Sequence, residues 1–368
     1  MDYSTLSCKE LIDICKTKKI KGYSNKTKNE LVSILIKEHV EIKTEEDTTS
    51  QKNEEEVVNI CKPILKWVGG KTQIISKIMG KFPKKINNYH EPFVGGGSVL
   101  LALLSYIQNN MIEIKGKIYA SDNNKNLINL YKNIQQQPTE LLTEINKIVE
   151  EYSRADGTTI NRSPDSLTEA LSSPESYYYY IRSRFNQITN QTSSTHTQTT
   201  LEASAMFLFL NKTCFRGMYR EGPHGYNVPF GNYKNNTIID EEHLMYVSSL
   251  IQDVIFSHNS FTTSIASPNI EEDDFVYLDP PYAPETEKSF VGYTADGFDL
   301  EQHTTLFEMC NNISKKNAKL LMSNSDVDLV RDSFADTTTY TLEQIECRRA
   351  INSKNPESKT NELLIKNY

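Results

Sequence analysis

The tetrapeptide DPPY at residues 279–282 has the residue types and spacing needed to act on an amine attached to a flat ring. It follows the apolar run 275–278, so its two prolines would form a rigid turn at the end of a strand. The Asp279 carboxylate and the Pro280 carbonyl could each accept an N–H of the amine, while the Tyr282 ring stacks on the base. Two acceptors would draw the nitrogen lone pair out of conjugation and make it nucleophilic. For the tetrapeptide alone, a Pro-Pro turn capped by an acid is the structural alternative.

A glycine-rich turn, EPFVGGGSVLLALL at 91–104, has the features of a ligand-binding loop. Its glycines allow a ligand to approach the backbone closely, and the start of the apolar helix that follows favours a polar group. The next predicted strand, 117–122, ends at Asp122, where an acid can bind ribose hydroxyls. A simple glycine turn beside a surface aspartate is the alternative.

The segment LKWVGGK at 65–71 combines an aromatic residue, a glycine pair and a lysine before a helix-like run at 72–79. This pattern predicts a loop that packs against the adenosine and methionine parts of a cofactor. An ordinary loop with an exposed lysine is the alternative.

The elements that must position these residues follow an alternating pattern. Strand-like runs at 117–122, 275–280 and 318–325 alternate with helical runs, which predicts a mainly parallel sheet flanked by helices. Ligands bind at the carboxyl ends of the strands in such α/β sheets. Two polar stretches, 153–166 and 186–200, are predicted to be surface loops or insertions.

The composition limits the class of protein. The 368 residues, 38% of them hydrophobic, suffice for one large domain and a small appendage. Without an apolar run of roughly 18–20 residues or a secretory signal layout, we expect a soluble intracellular protein with no membrane partner. The six cysteines are scattered without a CxxC pair, and the histidines lack HxH or HxxxH spacing, so we expect reduced thiols and no metal.

The net charge of −8 argues mildly against a nucleic-acid partner, but the charges are segregated. Residues 1–40 carry eight lysines and five acids, whereas residues 41–56 carry seven acids and two lysines. The net charge is therefore a poor guide to what the chain binds.

The order of the motifs resembles the Dam-type DNA adenine-N6 methyltransferases, the D12 class of the alpha group. The matches cover about 62–368 and are LKWVGGK at 65–71, EPFVGGGSV at 91–99, SDNNKNLINLY at 121–131, YYYIRSRFNQ at 178–187, FLNKTCFRGMYREGPHGYNVPFGNY at 209–233, YLDPPYAP at 277–284, and RRAINS with NELLIKNY near the end. The resemblance implies a Rossmann-like S-adenosylmethionine-dependent fold over 61–368. A mostly helical target-recognition region is inserted at about 140–250.

The resemblance also implies the roles of single residues. Lys71, Asp279, Pro280 and Tyr282 would be catalytic, and an aspartate rather than a serine at the start of the tetrapeptide goes with adenine rather than cytosine N4. S-adenosylmethionine would be converted to S-adenosylhomocysteine without a metal. The residues expected to contact this cofactor are Trp67, Gly69, Lys71, Phe93, Gly95, Gly97, Asp122, Ser260, Phe261 and Asp279.

The segment 213–231 resembles the family's DNA-reading hairpin. Phe215 stands where an aromatic ring enters the base stack beside the flipped adenine. Arg216 replaces the asparagine commonly found at that point. Arg220 matches the arginine that reads guanine, a contact worth roughly 1–3 kcal/mol of discrimination.

Two further hairpin residues, Met218 and Pro229, lie where the family approaches a thymine methyl group. Core packing is the alternative for Phe215 and Met218. Many relatives with this hairpin methylate GATC, so the resemblance implies GATC or a related short site in double-stranded DNA.

Residues 5–38 resemble a SAP module, a small helical DNA-binding domain, here assigned to 1–40. Its lysines, among them Lys26 and Lys28, would contact phosphates regardless of sequence. The acidic stretch 41–60 is predicted to be a flexible linker through which the module tethers the enzyme to DNA. A generic two-helix unit is the alternative.

Three other functions fit parts of the pattern. An RNA or cytosine-N4 methyltransferase would use the same turn, and a catalytically silent DNA-binding protein could keep the fold. A nucleotide-dependent nuclease fits poorly, because the chain lacks a GxxxxGK[ST] loop. We expect a DNA adenine-N6 methyltransferase that acts as a monomer.

Overall fold

The computed structural model divides the chain into two units, Met1–Val57 and Val58–Tyr368. In the second unit the structure describes residues 58–190, 197–234, 237–266, 269–284, 298–348 and 359–368. In the first unit it describes seven residues, namely Leu11, Ile12, Ile14, Lys16, Thr27, Lys28 and Leu31.

The first unit contains helical turns at two places along the chain. Its helical residues are Leu11, Ile12, Ile14, Lys16, Lys28 and Leu31. Leu11 and Leu31 are fully buried, and the Leu31 amide donates to the Thr27 carbonyl over 3.0 Å. Lys28 is exposed, and Lys26 lies outside the described residues. These observations agree with two short helices, while the resemblance to a SAP module stays a prediction.

The strands of the second unit, in chain order, are β1 (Lys85–Ile86), β2 (Tyr89–Glu91), β3 (Glu113–Ile114), β4 (Ile118–Asp122), β5 (Glu221–Gly222), β6 (Gly225–Tyr226), β7 (Val254–His258), β8 (Phe275–Leu278), β9 (Lys319–Ser325), β10 (Thr341–Arg348) and β11 (Lys359–Lys366). Its helices are α1 (Ile75–Met79), α2 (Ser98–Gln108), α3 (Lys125–Gln136), α4 (Pro138–Arg154), α5 (Leu167–Ala170), α6 (Pro174–Asn190), α7 (Thr197–Thr213), α8 (Glu241–Leu250), α9 (Phe261–Ser264), α10 (Leu300–Lys315) and α11 (Asp328–Ser333).

A seven-stranded sheet forms the centre, in the order β10-β11-β9-β8-β2-β4-β7. The pairs from β9 to β7 are parallel, and β11 runs opposite to both of its neighbours. Every residue of β8 is buried, as expected for a parallel strand covered on both faces. The predicted α/β fold with a mainly parallel sheet is confirmed.

The sheet has a switch point between β2 and β8. From β2 the chain continues to β4 and β7 on one side, and it then returns to β8 and β9 on the other. Connections diverge there, which leaves a crevice at the carboxyl ends of the two strands where ligands bind in this class of sheet. The predicted catalytic tetrapeptide and glycine turn follow β8 and β2 directly.

Local sequence signals explain where several helices begin. The Asn124 side chain accepts the Leu127 amide at the start of α3, and Asp299 forms a capping box with Gln302 at the start of α10.

Among the described residues, every helix is too short or too polar to cross a bilayer. The cysteines Cys61, Cys214 and Cys310 are buried free thiols.

The region between β4 and β7 is mainly helical, and α7 packs there against α3, α4 and α6. The loop predicted at 153–166 lies outside helices from residue 155 to 166. The loop predicted at 186–200 is wrong at both ends, since 186–190 belong to α6 and 197–200 to α7. Ile188 and Leu201 pack against the core, which explains why helices continue into this polar stretch.

Candidate active site

Lys71 joins the LKWVGGK loop to the tetrapeptide after β8. Its Nζ lies 2.7 Å from Asp279 Oδ1 and donates to the Gly69 carbonyl over 2.7 Å. The same atom lies 4.9 Å from the centre of the Tyr282 ring. Lys71 is only 4% exposed, which contradicts the alternative of a surface lysine. Its backbone amide also donates to Ser98 Oγ at the start of α2, so one residue connects the glycine turn with the tetrapeptide.

The end of the tetrapeptide is fixed by β9. Asn324 Oδ1 accepts the Ala283 amide over 3.0 Å, and Ser325 Oγ donates to the Ala283 carbonyl over 2.5 Å. The Tyr282 hydroxyl donates to Glu362 Oε2 on β11 over 2.8 Å. Asn324 and Glu362 were not predicted as site residues, although NELLIKNY, which contains Glu362, is one of the matched motifs.

Four carboxyl groups influence one another at this edge of the sheet. Burial raises the pKa of Asp279 and so does Glu362, while Lys71 opposes the rise. Burial, with smaller contributions from Asp279 and Asp122, raises the pKa of Glu91 to about 8, although the Tyr89 hydroxyl donates to it over 2.7 Å. Glu91 is therefore largely uncharged at neutral pH, which limits the negative charge beside Asp279.

The glycine turn needs its glycines because of backbone conformation and close contacts. Gly95 and Gly97 have φ angles of 48° and 73°, in the left-handed region that favours glycine. A Cβ on Gly95 would lie 2.9 Å from the Trp67 ring, and one on Gly97 would lie 2.6 Å from the Tyr131 hydroxyl. The predicted cofactor residue Trp67 thus packs directly on the turn.

Asp122 holds the same turn from the end of β4. Its carboxylate accepts the Gly95 amide over 3.0 Å and the Asn124 amide over 2.9 Å. Burial raises its pKa, and these backbone hydrogen bonds oppose the rise. Asp122 is half-buried, so it differs from the surface aspartate of the alternative interpretation.

Three phenylalanines cluster beyond the turn. The Phe93 and Phe261 rings stack with centroids 5.5 Å apart, and Phe298 lies 6.0 Å and 5.4 Å from them. Ser260 caps the short helix α9 by accepting the Thr263 amide. Phe93, Ser260 and Phe261 were predicted to contact the cofactor; Phe298 was not, because a single aromatic residue in the polar run GFDLEQH gives little signal.

The predicted DNA-reading residues of the second unit lie together in and around the β5–β6 hairpin. Phe215 is 44% exposed, which contradicts the core-packing alternative, whereas Met218 is half-buried against the core. Arg220 and Pro229 are exposed. The Arg220 Nε donates to Asn227 Oδ1 over 2.6 Å, which orients its guanidinium along the hairpin.

Helix α6 supports this hairpin with side chains four residues apart. The Tyr178 hydroxyl and the Arg182 guanidinium both donate to the Val228 carbonyl, over 2.7 Å and 3.2 Å. Asn186 bonds to both the amide and the carbonyl of Tyr226, over 2.8 Å and 3.0 Å. The matched motif YYYIRSRFNQ therefore supplies one helical face that holds the hairpin.

Asn211 connects the hairpin to the cofactor loop. Its side chain accepts the Lys66 amide over 2.9 Å and donates to the Lys66 and Gly217 carbonyls over 2.7 Å and 3.3 Å. Next to it, the Trp67 and Tyr219 rings stack 5.8 Å apart. Asn211 lies in the matched motif at 209–233 but was not predicted as a site residue.

Arg216 has a left-handed backbone, with φ 58° and ψ 17°. Replacing it with asparagine, which tolerates this conformation, is expected to stabilise the fold by about 1 kcal/mol and raise Tm by roughly 2 °C in thermal unfolding. The matched control, Arg216→Ala, also removes the guanidinium but lacks the short polar side chain that hydrogen-bonds locally in this conformation, so it should give no such gain. Equal Tm values for the two variants would contradict the explanation.

The predicted site residues thus form two groups in the second unit. The catalytic and cofactor residues surround the carboxyl ends of β2, β4, β7 and β8, and the DNA-reading residues lie in the hairpin. Lys28 belongs to the first unit. Within the described ranges, no three histidine, cysteine or acidic residues come together in a group that could hold a metal ion.

Comparisons with known proteins identify relatives along most of the chain. A family model described as D12 class N6 adenine-specific DNA methyltransferase matches residues 67–351. The chain is 35% identical over 317 residues to the Type II methyltransferase M.MjaIII of Methanocaldococcus jannaschii, covering 83% of this chain and 99% of that protein. It is 30% identical over 301 residues to the DNA adenine methylase of Haemophilus influenzae, covering 81% and 90%.

A DNA adenine methylase of Escherichia coli K12 is also similar, with 29% identity over 304 residues that cover 82% of this chain and 93% of that protein. These matches confirm the family, the fold and the reaction predicted from the motifs, including adenine rather than cytosine as the target base. The chain belongs to the D12 class N6 adenine-specific DNA methyltransferase family.

Proposed function

We propose that the chain transfers a methyl group from S-adenosylmethionine to N6 of an adenine turned out of duplex DNA, in GATC or a related short site, and releases S-adenosylhomocysteine. The observation that carries this proposal is the ion pair between buried Lys71 and half-buried Asp279 beside the Tyr282 ring. The pair lies at the switch point of the sheet, next to the glycine turn. We further propose that the enzyme acts as a monomer.

The residues around the turn fit this cofactor. The glycine turn lies directly before α2, whose first turn favours a polar ligand group. The Phe93 and Phe261 rings supply apolar faces for an adenine, and Asp122 keeps acceptor capacity for ribose hydroxyls. When bound, S-adenosylmethionine supplies an electrophilic methyl group on a positively charged sulfur. The residues that would hold it are Trp67, Gly69, Lys71, Phe93, Gly95, Gly97, Asp122, Ser260, Phe261 and Asp279.

The two rings also set a limit on how the cofactor's adenine enters. Flat rings stack about 3.5 Å apart, so a ring inserted between two others needs roughly twice that distance. Phe93 and Phe261 are 5.5 Å apart between centroids, too close for a third ring between them. The adenine must therefore lie on an outer face of the pair, where Phe298 packs at present, or displace one of the rings.

The catalytic residues prepare the amine. Lys71 occupies one oxygen of Asp279, so the other oxygen accepts one amine N–H while the Pro280 carbonyl accepts the second. Tyr282 stacks on the base, and the nitrogen lone pair becomes localised and nucleophilic. The new N–C bond would form as the bond between the methyl carbon and the sulfur breaks and its electron pair goes to the sulfur. The nitrogen would then lose one proton, which the second Asp279 oxygen is placed to hold.

The hairpin would deliver the base. Extrusion from the duplex costs a few kcal/mol, and the exposed Phe215 ring can fill the space left in the stack. Arg220 would bind a guanine edge with the part of its guanidinium that Asn227 does not occupy. Met218 and Pro229 would approach a thymine methyl group, and Arg216 lies beside Phe215, with its Cζ 5.1 Å from the ring centre.

A methyl-transfer assay tests the proposal. The purified protein is given radiolabelled S-adenosylmethionine and duplexes with and without GATC, and the methylated nucleosides are identified. N6-methyladenine confined to GATC is the expected result. N6-methyladenine at another site would refute GATC alone, and no methylation of any duplex by protein that binds the cofactor would refute the proposed function. Light scattering of the same protein on DNA tests the monomer.

Deleting residues 1–57 is expected to weaken DNA binding roughly tenfold at moderate salt, because the lysines of the first unit no longer contact phosphates. Turnover at saturating DNA should stay unchanged, since the deletion ends where the second unit begins. Binding titrations over a range of salt concentrations measure the effect, and the slope of log K against log salt should become shallower. An unchanged dissociation constant would refute the tether.

A further inference from the structure

The reversed strand β11 brings an acidic side chain to the catalytic turn. β11 lies between β9 and β10, and its register places Glu362 opposite Ser325. From there Glu362 Oε2 accepts the Tyr282 hydroxyl over 2.8 Å. In the sequence, Glu362 follows the tetrapeptide, whereas the glycine turn precedes it. The proposed activation of the amine does not involve Glu362.

Tyr282 is restrained at several points along its length. Its hydroxyl is bound to Glu362, its ring faces Lys71 Nζ at 4.9 Å, and the backbone of the next residue is fixed by Asn324 and Ser325. A hydrogen bond from a hydroxyl to a carboxylate is about twice as strong as one between neutral groups. The Glu362 contact is the one that restrains the far end of the ring, where a small rotation about χ1 produces the largest displacement.

Glu362 also adds charge beside the reacting groups. Two ionisable groups shift the pKa of Asp279, namely Lys71 from the cofactor loop and Glu362 from β11. Asp279 in turn raises the pKa values of Glu91 on β2, Tyr277 on β8 and Tyr282. Lys71 favours the Asp279 carboxylate, whereas Glu362 raises the pKa of Asp279. Removing the Glu362 charge should therefore lower the pKa of Asp279.

We infer that Glu362 is a positioning residue for methyl transfer, which fixes the Tyr282 ring against the flipped base by binding its hydroxyl and places a second negative charge beside the Asp279–Lys71 pair. The inference rests on the proposed function, because it assigns Tyr282 to the base. Glu362 touches neither base nor cofactor in this arrangement; it acts through Tyr282 and Asp279.

Two substitutions separate the hydrogen bond from the charge. Glu362→Ala removes both, and it is expected to lower kcat roughly ten- to hundredfold with KM for DNA changed by no more than about threefold, because a misplaced ring reduces the reactive fraction. Glu362→Gln keeps an acceptor for the hydroxyl and removes the charge. It should retain most of kcat and move the acid limb of the kcat–pH profile to lower pH, since Asp279 then ionises more readily.

A third variant tests whether Glu362 acts through Tyr282. Tyr282→Phe keeps the ring but loses the hydroxyl, and the double variant with Glu362→Ala should be no slower than the slower single variant, since both remove the same bond. A duplex with 2-aminopurine in place of the target adenine reports stacking. Its fluorescence on binding should be higher with Glu362→Ala than with the wild-type protein, because the ring no longer quenches it steadily.

Glu343→Gln on the neighbouring strand β10 is the matched control, as it removes one carboxylate that binds Lys81 at a surface. It should leave kcat, the pH profile and the fluorescence unchanged. The inference is overturned if both Glu362 variants show wild-type kcat and pH profile. It is also overturned if a smaller folded fraction, measured by thermal unfolding, accounts for the whole decrease in kcat of the Glu362 variants. A third contradicting result would be a double variant in which the decreases in kcat of Tyr282→Phe and Glu362→Ala multiply. Failure of the wild-type protein to make N6-methyladenine would instead refute the proposed function.

Discussion

Asp279→Asn is expected to lower kcat for methyl transfer by about a thousandfold or more. Lys71 Nζ lies 2.7 Å from one Asp279 oxygen and can only donate, so the amide oxygen of the variant must face it. The amide NH₂ then points to the position proposed for the adenine amine, and two donors meet. Without the carboxylate acceptor, the nitrogen lone pair stays conjugated with the ring, so the amine remains a poor nucleophile.

The measurement is single-turnover methyl transfer with cofactor and DNA both saturating, together with separate titrations of each ligand. Asp253→Asn, an exposed aspartate before β7, is the matched control and should act like the wild-type protein. DNA binding by Asp279→Asn should stay within a few fold, because the hairpin is untouched. A variant that keeps more than a tenth of the wild-type rate would show that this carboxylate does not activate the amine.

The second large effect concerns stability and comes from Glu91. Its pKa of about 8 in the folded protein lies well above the value of about 4.3 for an unperturbed glutamate. Between these two pH values the folded chain holds a proton that the unfolded chain has released, so the free energy of unfolding falls as pH rises through this window. Release of this proton lowers the free energy of unfolding by about 2–5 kcal/mol in total, and the decrease is complete slightly above pH 8.

Glu91→Gln has no carboxyl group that can titrate at this position. Between pH 5 and pH 9 its free energy of unfolding should therefore change by about 2–4 kcal/mol less than that of the wild-type protein. The amide fits the site, since its oxygen can accept the Leu100 amide while its NH₂ donates to the Tyr89 hydroxyl. Urea unfolding at a series of pH values measures the effect. Glu242→Gln on the exposed surface of α8 is the control and should follow the wild-type curve. Parallel curves for wild-type protein and Glu91→Gln would exclude Glu91 as the source of the pH dependence.

The sequence predicted the catalytic turn better than the residues that hold it. Asp279, Tyr282 and the glycine turn are recognisable because each lies in a short motif whose chemistry can be read locally. Lys71 was predicted for the same reason, but its direct ion pair with Asp279 joins two motifs about two hundred residues apart. No local pattern encodes such a pairing, because it depends on the order of strands in the sheet.

The supporting residues show the same limit. Glu362 lies in a strand, where its position in the sequence predicts only which face of the sheet it occupies. Asn211 and Asn186 lie on helices and resemble ordinary polar residues there. Arg216 is different, because it was noticed as a departure from the asparagine of the family. Its left-handed backbone supplies a physical reason for that asparagine, which the sequence alone does not contain.

The position of β11 between β9 and β10 has a consequence for how the protein is made. Both β9 and β10 leave the ribosome before β11, yet neither pairs with the other in the sheet, because β11 lies between them. A chain in which β11 has not yet inserted therefore carries an uncovered edge on β9 and has no neighbour for β10, a state prone to pairing with other chains. It also lacks the Glu362 contact, so insertion of β11 joins β9 to β10 and completes the support of Tyr282 in one event. Insertion of β11, rather than synthesis of the catalytic motif, would then complete the surroundings of Tyr282.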